Sequence, residues 1–238
     1  MPYLEIFVPL TFAGGFLRGL TGFGGPLVMV PFFIMFIQPA AAAAIVLFAD
    51  AFSNIGILRD ALRSAGARTV GLTLLGAGLA MPFGAVILVG AETEVVRMMI
   101  YAAVGIAAIV LLSGIRFPRP MKSYELSAGG AVAGTVMGAT ALGILIVPVM
   151  FSTPDDARIT RANLIVWVFV MNILVIGVLF YEGVIGQREL IYAGILGPVY
   201  LAGALLGQRC FGHVNDVLFR KLVLGFLLIF SISGLLFG

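Results

Sequence analysis

Asp50 and Arg18 are the residues of this 238-residue chain that packing alone explains least. Each stands inside a long apolar stretch: Arg18 in 4–37, and Asp50 eleven residues into 39–62. An ionised carboxylate at the centre of a bilayer costs at least ~2.5 kcal/mol, so it needs a cation beside it or a proton on it. Arg18, placed before the break and away from the ends of its stretch, reads as the only intramembrane base and is the obvious partner. Two roles stay open. Arg18 binds an anion while Asp50 takes a coupling proton, or the two form a structural ion pair. Asn54 and Asn172 lie within the apolar stretches 39–62 and 162–182. Each amide either donates to an anion or makes an interhelical hydrogen bond worth ~0.6 kcal/mol.

Two stretches are interrupted by glycine. Thr21-Gly22-Phe23-Gly24-Gly25-Pro26 breaks 4–37, and the run from Gly134 to Gly138-Ala139-Thr140 breaks 124–151. A helix that starts in mid-membrane presents unpaired N–H groups and the positive end of its dipole, equivalent to roughly half an elementary charge. Glycine lets an anion reach those amides. Pro26 suits a first helical turn, and Thr21 adds a hydroxyl donor. The candidate anion site is therefore Arg18, Thr21, Gly22, Phe23, Gly24, Gly25, Pro26, Asn54, Gly138, Ala139, Thr140 and Asn172, with Asp50 for the proton. The competing explanation is that small residues only let helices pack closely, which we prefer for Gly14, Gly15, Gly76 and Gly129. A single cysteine, Cys210, and a single histidine, His213, argue against a metal cluster or a Ser–His catalytic arrangement. No cofactor is expected.

The elements that hold these residues must live in lipid. The chain is 61% hydrophobic and only 11% charged, with a mean hydropathy of +1.16. A soluble domain carries roughly a quarter of its residues charged. Only helices and closed barrels satisfy their backbone within a bilayer, and apolar stretches near ~20 residues favour helices. The net charge of +3 comes from bases in short loops, which reports topology rather than nucleic-acid binding. No cleaved signal peptide is read at the N-terminus, because Met-Pro-Tyr-Leu-Glu has no basic region. Residues 1–238 form one membrane domain.

The two broken stretches overlay. Gly14-Gly15, Gly19 and Pro31 fall on Gly129-Gly130, Gly134 and Pro148, and further on Asn54 falls on Asn172, Gly84 on Gly207 and Arg97 on Arg220. The chain reads as two repeats, about 4–115 and about 124–237. If each broken stretch is a hairpin that enters and leaves on one side, eleven bases share one side and only Arg97 and Arg188 lie on the other. If each is a single crossing, the split is seven to six. Cytoplasmic loops collect Lys and Arg, so the hairpins win. The expected fold is an all-α polytopic membrane protein of two inverted repeats, each a broken re-entrant hairpin plus three transmembrane helices, with both termini outside the cytoplasm. Transporters of this plan place their site at the breaks.

The stretch Ala13-Gly14-Gly15-Phe16-Leu17-Arg18-Gly19-Leu20-Thr21-Gly22-Phe23-Gly24-Gly25-Pro26-Leu27-Val28-Met29-Val30-Pro31 resembles the opening motif of the sulfite exporter TauE/SafE permeases, a group that includes toluene sulfonate uptake permeases. Gly129 to Pro148 resembles the family's weaker second motif. Pro26 stands where the family usually has a third glycine, and Arg18 where it usually has a small or polar residue. The resemblance implies a secondary transporter in the inner membrane for sulfite, a sulfonate such as sulfoacetate, or a related oxyanion. An anion channel and a permease for a non-sulfur carboxylate are the alternatives. An enzyme is not expected, given so little chemistry beyond Asp50. The expected partners are a small anionic substrate and the lipid bilayer, not nucleic acid, and a homodimer stays open.

Overall fold

A computed structural model describes residues 3–21, 24–113, 119–210 and 216–237, and these are helical with short connections. The helices run α1 Leu4–Thr21, α2 Gly25–Phe33, α3 Pro39–Ser64, α4 Ala67–Gly90, α5 Thr93–Ser113, α6 Ser123–Thr140, α7 Ile146–Met150, α8 Ala157–Tyr181, α9 Gln187–Cys210 and α10 Asp216–Phe237. A single 3-10 turn, Gly143–Leu145, leads into α7. Local chemistry sets the ends. Gln38 and Gly24 precede prolines in the first turns of α3 and α2. The Asp156 carboxylate accepts from the Ile159 N–H at 2.8 Å and caps α8.

Both broken stretches double back on themselves. Phe7 near the start of α1 stacks on Phe33 at the end of α2, with ring centroids 3.9 Å apart, and Tyr3 meets Phe36 at 5.2 Å. Gly14 lies against Met29, so the returning arm runs antiparallel along α1. In the second stretch Gly129 faces Val149 and Gly143 faces Met137. The arms are unequal. Eighteen residues make α1 and α6 each ~27 Å long, whereas the nine residues of α2 reach only ~14 Å.

Four helices are each long and apolar enough to cross a membrane: Ala67–Gly90, Thr93–Ser113, Arg158–Tyr181 and Gln187–Cys210. A fifth is counted if α3 is one span. The sequence expectation was six, and α3 accounts for part of the difference. It was expected as one full crossing, and it bends by 72° between Pro39–Asn54 and Leu58–Ser64. The Ser53 hydroxyl and the Asn54 amide both donate to the Asp50 carbonyl, at 2.8 and 3.1 Å. Side chains that bond back onto the preceding turn bend helices in this way. Among the described residues of α10, only Leu227–Leu236 form an apolar helix by the same test. Large apolar side chains such as Phe83 (72% exposed) and Leu79 (71%) cover the outside, as a lipid-facing surface requires.

Two crossings dominate the interior. Helix α1 packs on α9, and α6 packs on α4. A Cβ at Gly15 or Gly19 would land on the carbonyl of Tyr200 or Ala204, and one at Gly130 or Gly138 on that of Thr73 or Met81. The backbones touch because glycine leaves room, the packing mode of small residues in membranes. Helix α3 lies between, against α8 and α9. The basic helix ends gather at one end of the molecule. Arg68 bonds Ser123 at 2.9 Å, the Gly66 N–H bonds Asn163 at 2.7 Å, and Asp60, Arg158, Arg161 and Gln208 border one space.

Candidate functional site

Asp50 is fully buried on α3 and takes donors from three other helices. Arg18 of α1 contacts its Oδ1 at 2.9 Å. The Tyr200 hydroxyl of α9 donates to the same oxygen at 2.6 Å, and the Asn172 amide of α8 donates to Oδ2 at 2.8 Å. The second arm of the Arg18 guanidinium donates to Asn54 Oδ1, one helical turn beyond Asp50. The planar fork of arginine spans that turn, which a lysine point charge would not do. A buried pair is stable only when its remaining hydrogen-bonding groups are also met. Here both carboxylate oxygens and both terminal guanidinium nitrogens are engaged.

Beside this cluster lies a cavity of about 30 Å³, room for one or two waters. Gly24, Pro26 and Leu27 line it from the first chain break, and Ala141, Leu142 and Gly143 from the second. Arg18 and Asn172 complete the polar side, and Leu164 and Val168 of α8 the apolar one. Both breaks use left-handed backbone. Gly24 has φ 93, and Ala141 has φ 58, a conformation that costs a residue with a Cβ of order 1 kcal/mol or more. Just outside the cavity, the Trp167 ring sits 3.2 Å from where a Gly143 Cβ would be, and its Nε1 has no partner among the described residues.

The candidate residues separate into three groups. Arg18, Gly24, Pro26 and Asn172 line the cavity. Gly25 lies under the Tyr200 hydroxyl, while Asp50 and Asn54 anchor Arg18 one layer away. Gly138, Ala139 and Thr140 do not line it. They sit inside α6, where Gly138 packs on the Met81 carbonyl and Thr140 Oγ1 bonds the Val136 carbonyl at 2.6 Å. The second break falls at Ala141–Leu142, because α6 keeps its hydrogen bonds through Thr140. For Gly138 the close-packing explanation is the one that fits. Gly22, Phe23 and the Thr21 side chain lie outside the described residues.

Tyr200 was not singled out from sequence. It lies two residues after Pro198 in an otherwise ordinary apolar helix, and the overlay that pairs Gly84 with Gly207 sets it opposite Ala77. By the same overlay Arg18 falls on Ala133 and Asp50 on Val168. The overlay therefore sets no charged residue opposite Arg18 or Asp50.

A sequence profile of the sulfite exporter TauE/SafE family matches residues 7–234. The chain belongs to that family. It is accordingly a multi-pass membrane protein of a permease family, whose members are transporters rather than enzymes. Neither a curated protein nor a solved structure matches the chain. Arg18 and Pro26, the residues that the sequence reading set apart from the usual opening motif, both line the cavity.

Proposed function

We propose that this TauE/SafE member is a secondary transporter for a small sulfur-containing oxyanion, sulfite or a sulfonate, held between the two chain breaks. The observation that carries the reading is one cavity lined by Gly24 and Pro26, by Ala141 to Gly143, and by Arg18 and Asn172. The α2 start offers backbone N–H groups and a positive dipole end, and Arg18 offers a full charge. The occluded space is too small for such an anion, so loading requires the halves to part. In this reading the halves are inverted repeats, the basic end faces the cytoplasm of the inner membrane, and both termini lie on the other side.

Asp50 is the proton carrier in this scheme. While ionised, it holds the Arg18 guanidinium and the Tyr200 hydroxyl on one oxygen. A proton on the carboxyl cancels the attraction that ties the Arg18 guanidinium to Asp50, and its charge becomes available to an anion in the cavity. Binding and protonation then favour each other, which is what coupled movement needs.

Thermal-shift measurements on the purified protein should show stabilisation by sulfite, sulfoacetate or ethanesulfonate and none by matched cations. In proteoliposomes the same anions should drive counterflow, which separates a carrier from a channel. Asp50→Asn keeps a neutral partner for Tyr200 but takes up no proton. It is expected to retain counterflow and lose accumulation driven by a pH gradient. Stabilisation by cations alone would overturn the anion assignment, and unchanged pH-driven accumulation in Asp50→Asn would remove Asp50 from the coupling.

A further inference from the structure

The Arg18 guanidinium is a partition between two spaces. On one side is the central cavity, and on the other a second cavity of about 50 Å³, bordered by Arg18, Gly19, Ser53, Arg161, Ile165 and Gln208 among others. Arg161, Ile165 and Gln208 also border a third, wider space of about 200 Å³ at the basic end, together with Asp60, Ser64 and Arg158. Neighbouring spaces share lining residues, so the three lie in sequence, as a line from the basic end to Arg18.

We infer that this line is the anion's entry path from the basic end, with Arg161 and Arg158 forming a staging site that loads it before Arg18 receives it. The inference rests on the anion-transport reading and adds to it a second binding place and a route. Arg158 and Arg161 are exposed, and neither has an ion pair among the described residues. The neighbouring acids are largely occupied. Asp156 caps α8, and Asp155 accepts from Thr153 at 3.0 Å and Asn163 at 3.1 Å. Asp60 alone opposes the two guanidiniums within the space. The start of α8 adds the positive end of its dipole at the same place. Arg161 borders both the outer and the middle space, so an anion paired with it stands at the mouth of the path. Two guanidiniums against one carboxylate leave the outer space net positive, which raises the local concentration of anions and speeds their capture.

Radiolabelled sulfite uptake into proteoliposomes of neutral lipid, measured over a concentration series, tests the path. Arg161→Gln should raise KM about ten-fold with little change in kcat, the scale expected for loss of electrostatic focusing. Arg161→Lys should restore most of the loss, and Asp60→Asn should shift KM the opposite way. The difference between Arg161→Gln and the unsubstituted protein should shrink towards 1 M salt, where screening acts within ~3 Å. Unchanged melting temperatures would show that all three variants fold. The inference is overturned if KM and its salt dependence are the same in Arg161→Gln as in the unsubstituted protein. It is equally overturned if they differ only after anionic lipid is added, because the space would then serve a headgroup phosphate. If the unsubstituted protein neither binds nor carries sulfite or a sulfonate, the transport reading itself falls, an outcome visible before any variant is made.

Discussion

Arg18→Met is expected to abolish transport and to lower the free energy of unfolding by about 3–5 kcal/mol, the cost of leaving one member of a buried ion pair alone. Asp50 would keep Tyr200 and Asn172 as donors but lose its counter-charge, and Asn54 Oδ1 would lose its donor. Stability alone does not separate a functional arginine from a structural one. The double variant Arg18→Met with Asp50→Leu does, because an apolar pair of similar volume is often neutral or better for stability. Denaturation in detergent should show the double variant recovering most of the loss, while uptake of sulfite or a sulfonate stays at background. Transport that returned together with stability would make the pair structural and take Arg18 out of the binding site.

Gly25→Ala should reduce transport more than ten-fold, although it adds one methyl group. A Cβ there would collide with the Tyr200 hydroxyl and come within 2.7 Å of its Cζ. The tyrosine has no retreat: its hydroxyl is bonded to Asp50 at 2.6 Å, and its carbonyl lies where a Gly15 Cβ would be. Overpacking costs about 1–3 kcal/mol, and a lost bond to a charged acceptor about 1.5–3 kcal/mol more. Tyr200→Phe removes the worst contact together with the bond that Gly25→Ala breaks. The double variant should therefore cost less than the two single changes added, since coupled neighbours are not additive. Strict additivity in unfolding experiments would mean that Gly25 and Tyr200 do not share this contact.

What was legible in the sequence followed from properties that local composition carries. Lipid solvation came from hydropathy, the breaks in 4–37 and 124–151 from glycine placement and their doubling-back from the distribution of bases, and the Arg18–Asp50 contact from the cost of an unpaired charge in an apolar helix. The less legible features depend on tertiary register. Thr140 was taken as part of the second break because a Gly-Ala-Thr run looks like one, yet α6 is held straight there by the Gly138 contact with α4. The break moves to Ala141, a residue whose positive φ no propensity would select. Tyr200 was invisible for a different reason. A tyrosine in an apolar helix is unremarkable by type, and only the packing of α9 against α3 brings its hydroxyl to Asp50. The bend in α3 likewise follows side chains that bond back to the Asp50 carbonyl, a geometry that spacing alone does not announce.

The two close helix crossings differ in what they contain. Arg18 and Tyr200 belong to the pair α1 and α9, whereas at the matching places α6 and α4 carry Ala133 and Ala77, both fully buried and without polar side-chain atoms. Under the proposed coupling, a change of charge at Asp50 acts directly on α1 and α9, and spectroscopic labels meant to follow that cycle belong on those two helices, with reference labels on α4 and α6.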